Sequence, residues 1–143
     1  MLKSEKIRNQ TTKAWRLISF EKIFDERGQL TVLEGKDHLP FKVRRLFYVN
    51  NPSGVRGNHA HKTLIELLIP MSGSLTVEVE DGHNIQSFEL SPNGTGLLIP
   101  PMIWARQHSF SRDCTYLVLA SNGYAESDYI RDYRDYIKLA SAR

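Results

Sequence analysis

From Trp15 onward the chain is a succession of short runs with alternating or β-branched character, each closed by turn residues. "WRLISF", "LTVLE", "VRRLFYVN", "TLIELLIPM", "SLTVEVED", "IQSFEL", "TGLLIPP" and "TYLVLA" read as strands. "DERGQ", "NNPSG", "MSGS", "EDGHN" and "SPNGTG" read as the turns between them. Asp81-Gly82, between two alternating runs, predicts a hairpin. Many short strands at such spacing close into a sandwich or a barrel. Only the tail departs from this pattern. "ESDYIRDYRDYIKLASAR" lacks Gly and Pro and repeats Tyr129, Tyr133 and Tyr136 at helical spacing, so a short C-terminal helix is predicted there, capped by Ser127 or Asp128. No repeat or linker divides the chain, so residues 1–143 form one predicted domain, with residues 1–13 as a mobile arm.

The bulk properties narrow the classes of function. A chain of 143 residues suffices for one domain with a real core. No run approaches the roughly 18 apolar residues of a membrane span, and the polar start lacks a signal-peptide core, so no membrane partner and a cytoplasmic location are expected. The single cysteine, Cys114, forms no internal disulfide and reads as a buried strand residue in "CTYLVLA". The net charge of +3 is spread thinly. Arginines scattered along strand-like stretches suit a small phosphorylated ligand, whereas a nucleic-acid partner would call for a denser basic stripe.

The chemistry concentrates in "RGNHAHKTLIE". Side chains on a strand alternate between faces, so His59 and His61 share one face while Ala60 takes the other. Their α-carbons should lie roughly 6.5–7 Å apart. Two imidazoles at that separation suit one metal ion, or adjacent atoms of one ligand. The plainer alternative is a solvated strand face whose histidines bond to water.

The surrounding spacing resembles the first cupin motif. Glu66 follows His61 after four residues, and Gly73 follows Glu66 after six. That resemblance implies a jelly-roll β-barrel with the site in its mouth. In metal-binding cupins a histidine from a second motif completes the ligand set. Here "GTGLLIPPMIWARQHSF" resembles the second motif but carries Ala105 where that histidine would stand. His108, three residues on, should face the other way unless a bulge intervenes. The residues therefore favour proton transfer over metal binding, and no cofactor is expected.

Over about residues 18 to 137 the chain resembles the nucleotide-sugar 3,4-ketoisomerases, cupins acting on dTDP-4-keto-6-deoxyglucose. "FDERGQL", "PFKVRRLFYV", "RGNHAHK", "LSPNGTGLLIPPMIWARQHSFS", "LVLAS" and "ESDYIRDY" carry the likeness in order. It implies a metal-free homodimer in a pathway to the deoxyamino sugars of surface polysaccharides. Two departures stand out: Trp104-Ala105 where relatives often have Trp-His, and Phe47-Tyr48 where they often have two tyrosines.

Moving a carbonyl from C4 to C3 of a sugar passes through an enediol. A base takes the C3 proton, a proton reaches C4, and protons move between O3 and O4. His59 is the candidate base and His61 the shuttle, with Tyr48 or Arg27 as donors to the enediolate. Arg27, Arg45 and Arg56 are candidates for the diphosphate, and Lys62 is a further candidate for substrate binding. Glu66 would orient an imidazole or a sugar hydroxyl. Trp104 and Phe47 would pack on thymine or sugar, although strand aromatics are more often core. Two readings from other classes remain open: a metal-dependent cupin enzyme, and a non-catalytic nucleotide-sugar-binding module. Nucleotide-sugar 3,5-epimerases use a single His with a Tyr in a different layout, which "HAHK" does not match.

Overall fold

The computed structural model describes residues 14–35 and 38–143, and the arm expected over residues 1–13 lies outside them. In chain order the strands are β1 (Arg16–Ser19), β2 (Glu21–Asp25), β3 (Gly28–Val32), β4 (Arg45–Asn50), β5 (Arg56–His61) and β6 (Glu66–Ser72). They continue as β7 (Leu75–Glu80), β8 (Ile85–Leu90), β9 (Thr95–Ile99), β10 (Trp104–His108), β11 (Thr115–Ala120) and β12 (Tyr129–Ile130). One helix, α1 (Tyr133–Ser141), follows. None of the described residues forms a helix long and apolar enough to cross a membrane.

Two five-stranded sheets, ordered β1-β9-β6-β11-β4 and β12-β5-β10-β7-β8, face each other, and β2-β3 stands apart as a hairpin. Among the described residues no strand pairing joins the two large sheets, so the predicted barrel takes the form of a jelly-roll sandwich. Its strands form because their patterns fit these faces. β7, "LTVEVE", buries Leu75, Val77 and Val79 and leaves the residues between them half-buried. Each such burial contributes about 1.5–3 kcal/mol. β6 is instead buried continuously from Leu67 to Pro70, because Leu33, Leu39, Phe41 and Val43 cover its outer face. The main core lies between the sheets, around Leu68, Val77, Leu97, Ile99, Tyr116 and Val118. The hairpin expected at Asp81-Gly82 joins β7 to β8: Asp81 Oδ1 accepts from the backbone N–H of His83 and Asn84, and Gly82 takes φ 96°.

The tail corrects one boundary. The helix begins at Tyr133, with Asp132 as its cap, accepting from the N–H of Arg134 and Asp135. Upstream, Glu126–Asp128 is a single 3₁₀ turn and Tyr129–Ile130 is a strand. That strand pairs with β5, Tyr129 opposite His61 and Ile130 opposite Ala60, so the backbone bonds that a longer helix would use go to a sheet edge.

Candidate active site

β5 carries the site because it has different partners on its two faces. Ala60 is fully buried on the outer face, where Trp104, Ile130, Tyr136 and Ala140 pack around it. A larger side chain between the histidines would push that layer away. His59 and His61 point inward, into a cavity of about 280 Å³ between the sheets. Their ring centroids lie 4.9 Å apart, nearly perpendicular.

The two imidazoles have different surroundings. His61 is buried, with Nε2 3.3 Å from Glu66 Oε1 and Nδ1 3.4 Å from Asp128 Oδ2. The Asp128 contact lies within ion-pair range but lacks hydrogen-bond alignment, which leaves Nδ1 without a bonded partner. Asp128 is itself held in place: Oδ1 accepts from Thr63 N–H at 2.8 Å and Thr63 Oγ1–H at 2.7 Å, and Oδ2 from Leu64 N–H at 3.2 Å. Burial alone would raise its pKa, but these donors outweigh burial and keep the carboxyl below its ordinary value. His59 has no carboxylate at ion-pair distance among the described residues, and its Nδ1 is buried without a partner. Burial foremost, then the neighbouring His61, lowers its pKa, so it is held as a neutral imidazole.

Of the residues expected at the site, Arg45, Arg56, His59, His61 and Glu66 line this one cavity, as does Phe47. The Arg45 guanidinium lies over the Phe47 ring at 4.9 Å and over the Tyr124 ring at 5.3 Å.

Four others lie elsewhere. Tyr48 is 64% exposed on the outer face of β4, since Arg45 and Phe47 occupy the inward positions and strand alternation turns Tyr48 away. Lys62, next to His61, is turned outward and lines a separate groove of about 420 Å³ with Arg131 and Lys138. Arg27 sits on the β2–β3 hairpin, its side chain 86% exposed and paired with Asp25, outside this chain's own cavity. Trp104 is core: it packs against Tyr133 and Tyr136, and its Nε1–H donates to Asn58 Oδ1 at 3.2 Å.

The cavity also holds groups the sequence did not single out. The Tyr129 ring lies 4.9 Å from that of His59 and 4.3 Å from that of His61, with the Arg131 guanidinium 4.1 Å from it. Gln107 and Tyr116 line the wall. The pairing of Tyr129 with the histidines needs the β12–β5 ladder, which no local pattern announces. Gln107 was within reach, since it stands two residues from Ala105 on the same face.

One ligand atom each from His59, His61 and Glu66 can lie within 4.8 Å of one another, so these three could hold a metal ion. Ala105 lies directly opposite His59 on β10 and offers no fourth donor. His108 keeps to the outer side, 3.8 Å from Glu78, and does not line the cavity. An ion on the three donors would act as a Lewis acid on a substrate carbonyl.

Fold and site together define a small jelly-roll protein in which two imidazoles and two arginines line one cavity between the sheets. Residues 13–141 match the family described as "FdtA: WxcM-like, C-terminal", and the chain belongs to that family. It is 41% identical over 125 residues to the TDP-4-oxo-6-deoxy-alpha-D-glucose-3,4-oxoisomerase of Aneurinibacillus thermoaerophilus, covering 86% of this chain and 90% of that one. Among solved structures it is similar to a histidine-to-asparagine mutant of the 3,4-ketoisomerase QdtA from Thermoanaerobacterium thermosaccharolyticum, in complex with TDP-4-keto-6-deoxyglucose. The TM-score is 0.87 at 37% identity, covering 90% of this chain and 95% of that one. It is also similar to the TDP-quinovose 3,4-ketoisomerase WlaRB from Campylobacter jejuni, with a TM-score of 0.83 at 35% identity, covering 88% and 98% of the two chains.

Proposed function

We propose that this chain is a nucleotide-sugar 3,4-ketoisomerase that converts dTDP-4-keto-6-deoxyglucose to a dTDP-3-keto-6-deoxyhexose. The observation that carries the reading is the pair of inward-facing imidazoles with unequal surroundings, set on the wall of a cavity that two arginines share. Environments that differ in this way divide acid and base roles between like groups. The relatives that carry out this reaction support it.

His59, neutral and without a carboxylate partner, takes the C3 proton, which the C4 carbonyl acidifies. Negative charge develops on O4, and the Gln107 and Tyr116 side chains are the donors in reach of the cavity. His61, oriented by Glu66 and Asp128, carries the O3 proton to O4. Protonated His59 then returns its proton to C4, leaving the carbonyl at C3. Tyr129 packs on both rings and limits their rotation. The cavity, at about 280 Å³, falls just below the roughly 300–1,000 Å³ usual for enclosed ligands, so it takes the sugar, and the nucleotide lies towards the opening. The diphosphate falls to Arg45 and Arg56, since Arg27 has no place in this cavity.

The functional unit is a homodimer. Leu46 and Tyr48 are exposed on β4, the edge strand of its sheet, and Ile23, Phe24 and Leu30 are exposed on the hairpin. Exposed apolar residues on a sheet edge call for cover.

The test is proton NMR of the purified protein with dTDP-4-keto-6-deoxyglucose, with a 3-aminotransferase present to trap the product. A 3-keto product is expected, at a rate that EDTA leaves unchanged. Activity lost to EDTA and restored by one divalent ion would favour the second reading, in which His59, His61 and Glu66 hold a metal.

A further inference from the structure

His59 and His61 share a face because they are two residues apart. Arg56 lies three residues before His59, and a regular strand would turn it to the opposite face. Yet Arg56, His59 and His61 line one cavity. The β5–β10 ladder shows how this arises. Ala105 stands opposite His59, Arg106 opposite Gly57 and Gln107 opposite Arg56, so the register shifts by one and Asn58 has no partner on β10. β10 keeps an unbroken register with β7, which places the extra residue on β5. This is a β-bulge, a device that re-aims the side chains on one side of it.

Two residues in left-handed conformation build the bulge, Gly57 at φ 72° and Asn58 at φ 59°. Gly57 has no substitute there: a Cβ would come within 2.8 Å of the Gln107 side chain and 3.1 Å of the Ala105 carbonyl oxygen. Asn tolerates this region better than other residues with a side chain. Its Oδ1 accepts from Trp104 Nε1–H at 3.2 Å, and the indole is fixed between Tyr133 and Tyr136. Asn58 is otherwise exposed and does not line the cavity.

We propose that Asn58 is a positioning residue: its left-handed backbone, pinned by Trp104, brings Arg56 onto the histidine face, where the guanidinium meets the diphosphate of the substrate. The inference rests on the reading of Arg56 as a diphosphate ligand. It predicts a division of effects. His59 and His61 lie beyond the bulge, and His61 is held independently by β12 and by Met102 N–H, which donates to its carbonyl at 2.7 Å. Disturbing residue 58 therefore weakens anion binding and spares the chemistry.

The experiment titrates thymidine diphosphate by calorimetry into wild type, Asn58→Gly, Asn58→Val, Arg56→Ala and the double variant Asn58→Val/Arg56→Ala. Each is checked for native unfolding, and kcat is read at saturating substrate. Glycine keeps the left-handed backbone without the side chain, whereas a β-branched residue resists it. Asn58→Ala, a milder change in the same direction, carries the test should the valine variant not fold. Asn58→Gly is expected to bind within about threefold of wild type. Asn58→Val and Arg56→Ala are each expected to bind at least about tenfold more weakly, the double variant no more weakly than Arg56→Ala, and Asn58→Val to keep kcat within about threefold. Wild-type affinity in Asn58→Val beside a weakened Arg56→Ala would overturn the inference alone. So would a further loss in the double variant, or equal losses in Asn58→Gly and Asn58→Val. Undiminished affinity in Arg56→Ala would remove the diphosphate role of Arg56, and the inference with it.

Discussion

His59 and His61 are chemically identical, and the difference between them comes from neighbours far away in sequence. Asp128 reaches His61 across 67 positions, and only the fold brings it there. This difference gives a pH prediction. The pKa of His59 is lowered by burial and by His61, so the base stays neutral below the ordinary histidine value near 6.5 and is lost only as pH falls through its lowered pKa. The acid limb of log kcat/KM against pH should therefore bend below pH 6.5 and be absent in His59→Asn. A limb at or above 6.5 would mean that another group is the base. That Tyr48 and Lys62 lie outside the cavity follows from strand alternation. Arg45 and Tyr48 differ by an odd number of positions, so a regular β4 cannot direct both inward, and His61 and Lys62 are adjacent. Arg56 shows the converse. Strict alternation would have excluded it, and a bulge marked only by "GN" restores it.

At the scale of elements the sequence was most legible where the two faces of a strand alternate in burial, buried and half-buried in β7, half-buried and exposed in β4. It was least legible in three places. β2, "EKIFD", has all five residues exposed and so carries no burial pattern. β12 is two residues long and exists through its pairing with β5. The helix start moved from Ser127 or Asp128 to Asp132 because Asp128 caps no helix and instead accepts from Thr63 and Leu64. These elements matter to the chemistry, since β12 carries Tyr129 and stands beside Asp128. Helix α1 anchors them through Tyr136, fully buried, whose hydroxyl donates to the carbonyls of Glu80 at 2.8 Å and Met102 at 3.0 Å. Tyr136→Ala should cost about 3–5 kcal/mol of stability, as truncation of a large buried aromatic does. It should also slow turnover in the protein that remains folded, because His61 loses its support from β12. Denaturant unfolding and kcat at low temperature check the two effects. Full activity in a destabilised protein would separate the helix from the site.

At the scale of the whole molecule, one jelly-roll sandwich provides both the histidine wall and the exposed apolar edge. The surface of β4 explains Tyr48 better than catalysis does: 64% exposed beside Leu46, it fits a subunit contact. Light scattering at micromolar concentration should give twice the 16.4 kDa chain mass, and Tyr48→Asp should shift the protein towards monomer. A monomeric wild type would leave that apolar edge without its proposed cover. The resemblance visible in "RGNHAHK" and "ESDYIRDY" joins segments that the fold brings into contact, β5 and β12, which is why both are needed for one site.

The central claim is that His59 and His61 divide one proton-transfer reaction between them. It is tested most directly by incubating dTDP-4-keto-6-deoxyglucose in deuterated water with wild type, His59→Asn and His61→Asn, and following C3 exchange and isomerisation together by NMR. Both variants should isomerise at least about 100-fold more slowly than wild type, the scale of lost acid–base assistance. His59→Asn should also lose exchange at C3, whereas His61→Asn should keep part of it without completing the isomerisation. Near wild-type isomerisation by both variants, folded and dimeric, would contradict the account and leave a protein that binds the nucleotide sugar without transforming it.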